Sequence, residues 1–61
     1  MTNLQWRLVL ALRDVKYQME LHQRSFIERL KKDDQLSIDD LRYLDRLGQK
    51  YRKDLIGWYP H

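Results

Sequence analysis

A chain of 61 residues with 12 basic side chains, 9 acidic ones and no cysteine can build one small domain, close to the lower size limit for folding without disulfides, metal or a partner. The missing thiols exclude disulfide scaffolds, thiolate metal sites and cysteine nucleophiles, and a formal net charge of +3 falls well short of the dense positive field of a dedicated nucleic-acid binder. The longest uninterrupted apolar run, residues 8–12, is far below the roughly 20 residues of a membrane span. Met1 leads into polar Thr2 and Asn3 with neither a basic segment before that run nor a small-residue cleavage site after it. No signal peptide is therefore read, and a soluble cytoplasmic protein with no membrane partner is expected.

The first predicted helix starts at Thr2. Gln5 stands three residues later, so the threonine hydroxyl can accept a first-turn N–H while the glutamine side chain reaches back to the Thr2 N–H. Met1 and Trp6 occupy the flanking apolar positions of the same motif. Lys16, Glu20, Arg24, Glu28 and Lys32 then form an alternating-sign ladder at spacing four, each step of which adds a few tenths of a kcal/mol to a helix. With no glycine or proline before residue 48, the pattern predicts one long helix over about residues 3–32. Residues 33–37 suit a short antiparallel connection.

A second helix, over about residues 38–56, is announced by Ser37 with Asp40 and by Leu36 with Leu41. Asp39 and Asp40 favour its positive end, Lys50, Arg52 and Lys53 its negative end, and Gly57 with Pro60 supplies the stop. The expected architecture is all-α: an antiparallel helical hairpin with a long first helix, either broken into a three-helix unit or completed as a homodimeric bundle.

At about 100° per residue, Leu8, Leu12, Val15, Met19, His22, Phe26 and Leu30 share one stripe of the first helix. Leu41, Leu44, Gly48, Tyr51 and Leu55 make the matching stripe of the second. A glycine inside a helix costs about 1 kcal/mol against alanine and signals close helix approach. Trp6, Leu10, Tyr17 and Leu21 lie nearly opposite the first stripe, so the start of the chain has two apolar faces. A first helix of about 45 Å would also overhang a second of about 28 Å. Three coverings are open: a break near Arg13 and Asp14, a return of the tail carrying Trp58 and Tyr59, or a second molecule.

Chemical motifs are sparse. His22 falls among core positions and His61 is terminal; neither has a second ligand at zinc spacing. The stretch DDQLSIDD has spaced carboxylates but neither the glycine nor the terminal glutamate of a calcium loop, and helix capping accounts for half of it. No phosphate loop or nucleophile elbow is present. Catalytic residues, metal and cofactors are therefore not expected. Arg42, Arg46, Lys50 and Lys53 form a basic ridge on the second helix that could meet phosphates, with Asp39, Asp45 and Asp54 beside it. Trp and Tyr are favoured interface anchors.

From Phe26 onward, FIERLKKDDQLSIDDLRYLDRLGQKY resembles a short helical-hairpin segment that recurs in phage and prophage proteins of DNA replication and recombination. The likeness lies in Phe26, Ile27 and Leu30, then Leu36 and Ser37, then Leu44 and Leu47 ahead of Lys50 and Tyr51, within residues 26–51. It implies a packing module and carries no catalytic residue. The resulting expectation is a non-enzymatic protein–protein interaction module, a phage accessory protein, binding another protein or a second copy of itself. Trp6, Leu10, Tyr17, Leu21, Trp58 and Tyr59 are its candidate contacts. The alternative is a small nucleic-acid-binding protein using Arg42, Arg46, Lys50 and Lys53.

Overall fold

Both predicted helix starts are present in the computed structural model, which describes residues 1–55. Thr2 Oγ1 accepts the Gln5 N–H at 3.1 Å and the Thr2 N–H donates to Gln5 Oε1 at 2.8 Å, opening α1 (Asn3–Asp14). Ser37 Oγ accepts the Asp40 N–H at 3.2 Å and opens α3 (Ile38–Lys50), with Asp39 and Asp40 in its first turn and Lys50 in its last. Between them lies α2 (Leu21–Arg29). Short 3-10 turns occupy Lys16–Gln18 and Arg52–Leu55, and no strand is found among the described residues.

The expected continuous helix over residues 3–32 is corrected by this arrangement. The chain leaves the α conformation at Val15 (φ −111°, ψ 17°), makes a 3-10 turn, and runs extended through Met19 (φ −92°, ψ 154°) and Glu20 (φ −67°, ψ 157°) before α2 starts. A rod of about 45 Å would not fit a body measuring 27 × 26 × 17 Å. The radius of gyration is 10.7 Å, close to the roughly 10.5 Å of a compact chain of this length.

Burial explains why the break wins. Folding α1 back buries Leu8, Val9 and Leu12, each contributing at most roughly 1.5–3 kcal/mol. The ladder steps lost in exchange contribute only a few tenths of a kcal/mol each. Lys16 pairs instead with Glu28, at 3.1 Å, and the Glu20 N–H is capped by Gln23 Oε1 at 3.1 Å.

The break also shifts the phase of the core. Met19 and Leu30 are buried as expected, but between them Gln23 and Ile27 are the buried residues, whereas His22 is exposed and Phe26 is half-buried; the middle of the expected stripe is thus displaced by one residue. Phe26 meets Tyr43 edge to face, with ring centroids 4.7 Å apart and an interplanar angle of 83°. On the α3 side Leu44, Leu47, Gly48, Tyr51 and Leu55 are buried, close to the expected stripe, with Leu41 half-buried at its margin.

The second helix was expected to reach residue 56, but its α conformation ends at Lys50. Tyr51 (φ −102°, ψ 18°) follows as the cap, and the tighter 3-10 turn after it brings Leu55 into the core at 4% exposure. The Tyr51 hydroxyl donates to the buried Gln23 Oε1 at 2.8 Å. One glutamine oxygen therefore caps the start of α2 and anchors the end of α3, and the polar group left inside is satisfied. Ile56, Gly57 and Pro60 lie outside the described residues.

Candidate interaction surface

Arg13 fixes how α1 meets α2. Its Nη2 donates to the Leu30 carbonyl at 2.7 Å, with longer contacts to the carbonyls of Ile27 (3.3 Å) and Glu28 (3.4 Å); Nε also reaches Ile27 O at 3.4 Å. These carbonyls lie at the end of α2 beyond the regular helical donors, Ile27 O keeping only a long 3.4 Å bond from the Leu30 N–H, so one guanidinium supplies the further donors and its charge faces the negative end of that helix. The same group lies 5.2 Å from the Trp6 ring centroid. Sequence reasoning missed this clip; the spacing of seven that puts Trp6 and Arg13 on one side of a helix was its only local trace.

The candidate contact residues are consequently divided. Trp6 is half-buried against the core beneath Arg13. Leu10 stands on the outer side of α1 at 43% exposure, where Arg7, Leu10, Ala11 and Asp14 line a shallow open groove. Tyr17 projects from the first 3-10 turn at 81% exposure and Leu21 from the start of α2 at 70%. Lys16 Nζ lies 5.3 Å from the Tyr17 ring centroid. Leu4 and Ile38 are exposed as well and were absent from the sequence-based set. Trp58 and Tyr59 fall outside the described residues, so the tail covering rests on residues beyond the description.

The basic ridge is laid out in solvent, with Arg42, Arg46 and Lys50 exposed on α3 and Lys53 exposed in the turn after it. Among the described residues none of these four is ion-paired with Asp39, Asp45 or Asp54. Lys50 Nζ sits 5.4 Å from the Tyr51 ring centroid. The neighbouring carboxylates therefore act on the ridge only through the diffuse field that salt screens.

Little in the remaining polar chemistry converges. A second groove between the end of α2 and the start of α3 is lined by Phe26, Arg29, Leu30, Asp34, Leu36 and Asp40, but Asp34 Oδ2 is engaged by the Lys31 N–H at 2.9 Å. His22 Nδ1 is 3.5 Å from a Glu20 carboxylate oxygen, with both side chains exposed. Among the described residues no three His, Asp or Glu side chains are grouped to hold a metal ion. Every buried side-chain nitrogen and oxygen there has a hydrogen-bond partner, and no helix is long and apolar enough to cross a membrane. No family model, curated protein or solved structure matches the chain.

Proposed function

We propose that the protein is a non-enzymatic interaction module that binds another protein through Leu10, Tyr17 and Leu21. One observation carries this reading: folding α1 back covers Leu8, Val9 and Leu12, yet leaves these three large apolar side chains in solvent. Exposed apolar surface in a small domain is a cost unless a partner removes it from water. Arg7 and Asp14 line the groove beside Leu10, and Lys16 lies beside the Tyr17 ring, polar groups of the kind that rim specific interfaces. The resemblance of residues 26–51 to a hairpin of phage and prophage proteins supports an accessory role in DNA metabolism, in the cytoplasm. The reading is tested with a partner captured on the wild type, then purified. Tyr17→Glu and Leu21→Glu should each weaken its binding tenfold or more with little change in melting temperature; unchanged affinity in both variants sinks the reading.

A second reading is favoured by the unpaired ridge. Four exposed cations with no direct ion pair among the described residues could contact phosphates, and phosphate contacts release counterions, so affinity would fall steeply with salt. Titration of labelled single- and double-stranded DNA and RNA at two salt concentrations decides between the readings. Weak binding at physiological salt, little altered by Arg42→Gln with Arg46→Gln, is expected. Submicromolar binding that depends on both arginines would reverse the order.

A further inference from the structure

The segment that turns α1 back, residues 15–20, contains neither glycine nor proline. Nothing local obliges it to break, because every residue in it can be helical at modest cost. The ladder Lys16, Glu20, Arg24, Glu28, Lys32 runs through it at spacing four, and in the compact chain Lys16 is paired twelve residues away with Glu28. Leu8, Leu12, Val15, Met19, Phe26 and Leu30 would also share one stripe of a straight helix, and all six pack in or against the core in the compact form. The same side chains therefore suit two backbones.

We propose that α1 is an exchangeable element. When residues 15–20 straighten, α1 and α2 become one helix, and α1 leaves its own chain to pack on the α2 and α3 of a second copy, which returns its own α1. Each buried contact is remade between chains: Leu8, Val9 and Leu12 enter the partner copy's core, and Arg13 reaches the partner copy's α2 carbonyls. The straightened segment gains the helical hydrogen bonds missing between Val15 and Glu20, and with them the ladder pairs at spacing four. Such reciprocal exchange needs no new surface, only a short hinge whose two conformations are close in energy. This goes beyond the proposed binding surface and is independent of it, since Leu10, Tyr17 and Leu21 take no part in the exchanged contacts.

Leu21 offers a selective test. It is the first residue of α2, where proline is well tolerated because the N–H has no helical partner, and Glu20 before it already has the extended backbone (φ −67°, ψ 157°) that a residue preceding proline prefers. Leu21→Pro thus fits the compact chain, but inside a straight helix it removes a hydrogen bond and clashes with a carbonyl one turn back. Leu21→Ala deletes the same side chain and suits both forms. The expected results are a concentration-dependent dimer of the wild type by light scattering, retained within about twofold in Leu21→Ala and weakened about 100-fold or more in Leu21→Pro. With no native cysteine, spin labels on Asn3→Cys and Arg29→Cys read the geometry directly. In the dimer the two labels of one chain, diluted with unlabelled protein, should stand about 40 Å apart, against a body of 27 Å in the compact form. A dimer that survives Leu21→Pro would overturn the exchange. So would a dimer lost equally in Leu21→Ala, which would place the contact on the exposed side chain, or a wild type that stays monomeric at millimolar concentration after refolding there.

Discussion

Residues 38–50 form one helix and residues 3–29 form two with a turn between them, and they follow from the sequence by different routes. α3 has one apolar stripe, Leu44, Leu47, Gly48 and Tyr51, with a serine cap, acidic residues at its start and lysine at its end. Propensity, capping, dipole and burial agree there, so local reasoning reaches the observed helix. In residues 3–29 they conflict. The charge ladder and the absence of breakers favour a rod, while the apolar side chains of α1 require a surface that a rod cannot give them within one chain. The lesson is one of magnitude: local pair terms of a few tenths of a kcal/mol yield to the burial of three large side chains.

The largest effects should come from the shifted core. Ile27→Ala and Leu12→Ala, at side chains with 0% exposure, should each destabilise by about 2–5 kcal/mol through lost transfer energy and the cavity left behind. His22→Ala should stay within about 0.5 kcal/mol, as an exposed surface change. Urea unfolding of the three variants measures both. A rod with the unshifted stripe would reverse the order, making His22 costly.

The Arg13 clip comes next. Arg13→Ala should cost about 1–3 kcal/mol, because half-buried carbonyls at the end of α2 lose a charged donor, and Arg13→Lys should recover only part of it, lacking the planar fork. Hydrogen exchange in both variants should rise first at the end of α2. An unchanged melting temperature in Arg13→Ala would separate α1 from α2 and favour the rod.

The smallest effect sharpens the comparison most finely. A double-mutant cycle on Lys16 and Glu28 should return about 0.2–1 kcal/mol, the range of exposed pairs, while the same cycle on Lys16 and Glu20 should return close to zero. The opposite result would show the ladder pairing at spacing four, as in a straight helix.

These tests follow the line between what was legible in the sequence and what was not. The caps at Thr2 and Ser37 were legible because each depends on residues three apart. The core side of α3 was legible because one period runs through it uninterrupted; the buried Gly48 was readable for the same reason. The break after Asp14 was one of three coverings the sequence left open, near Arg13 and Asp14, but it could not be chosen there, since no residue in it is a breaker and its cause lies in contacts far along the chain. The one-residue phase shift that puts Gln23 and Ile27 inside in place of His22 and Phe26 follows from that break. Arg13 was illegible for a related reason: its partners are carbonyls 14 to 17 positions away, which become available only once α2 ends at Arg29. Among the candidate contacts, the apolar character of Leu10, Tyr17 and Leu21 was legible, but their separation from Trp6 required the fold.

The fold-back of α1 at residues 15–20 is the feature on which the rest depends, and solution NMR at low protein concentration tests it most directly. The account predicts helical carbon shifts through Asp14, a loss of helical character at Met19 and Glu20, and helical shifts again from Leu21. It also predicts intramolecular NOEs from the Arg13 side chain to Ile27 and Leu30. Unbroken helical shifts from Asn3 to Arg29, with those NOEs absent, would contradict it.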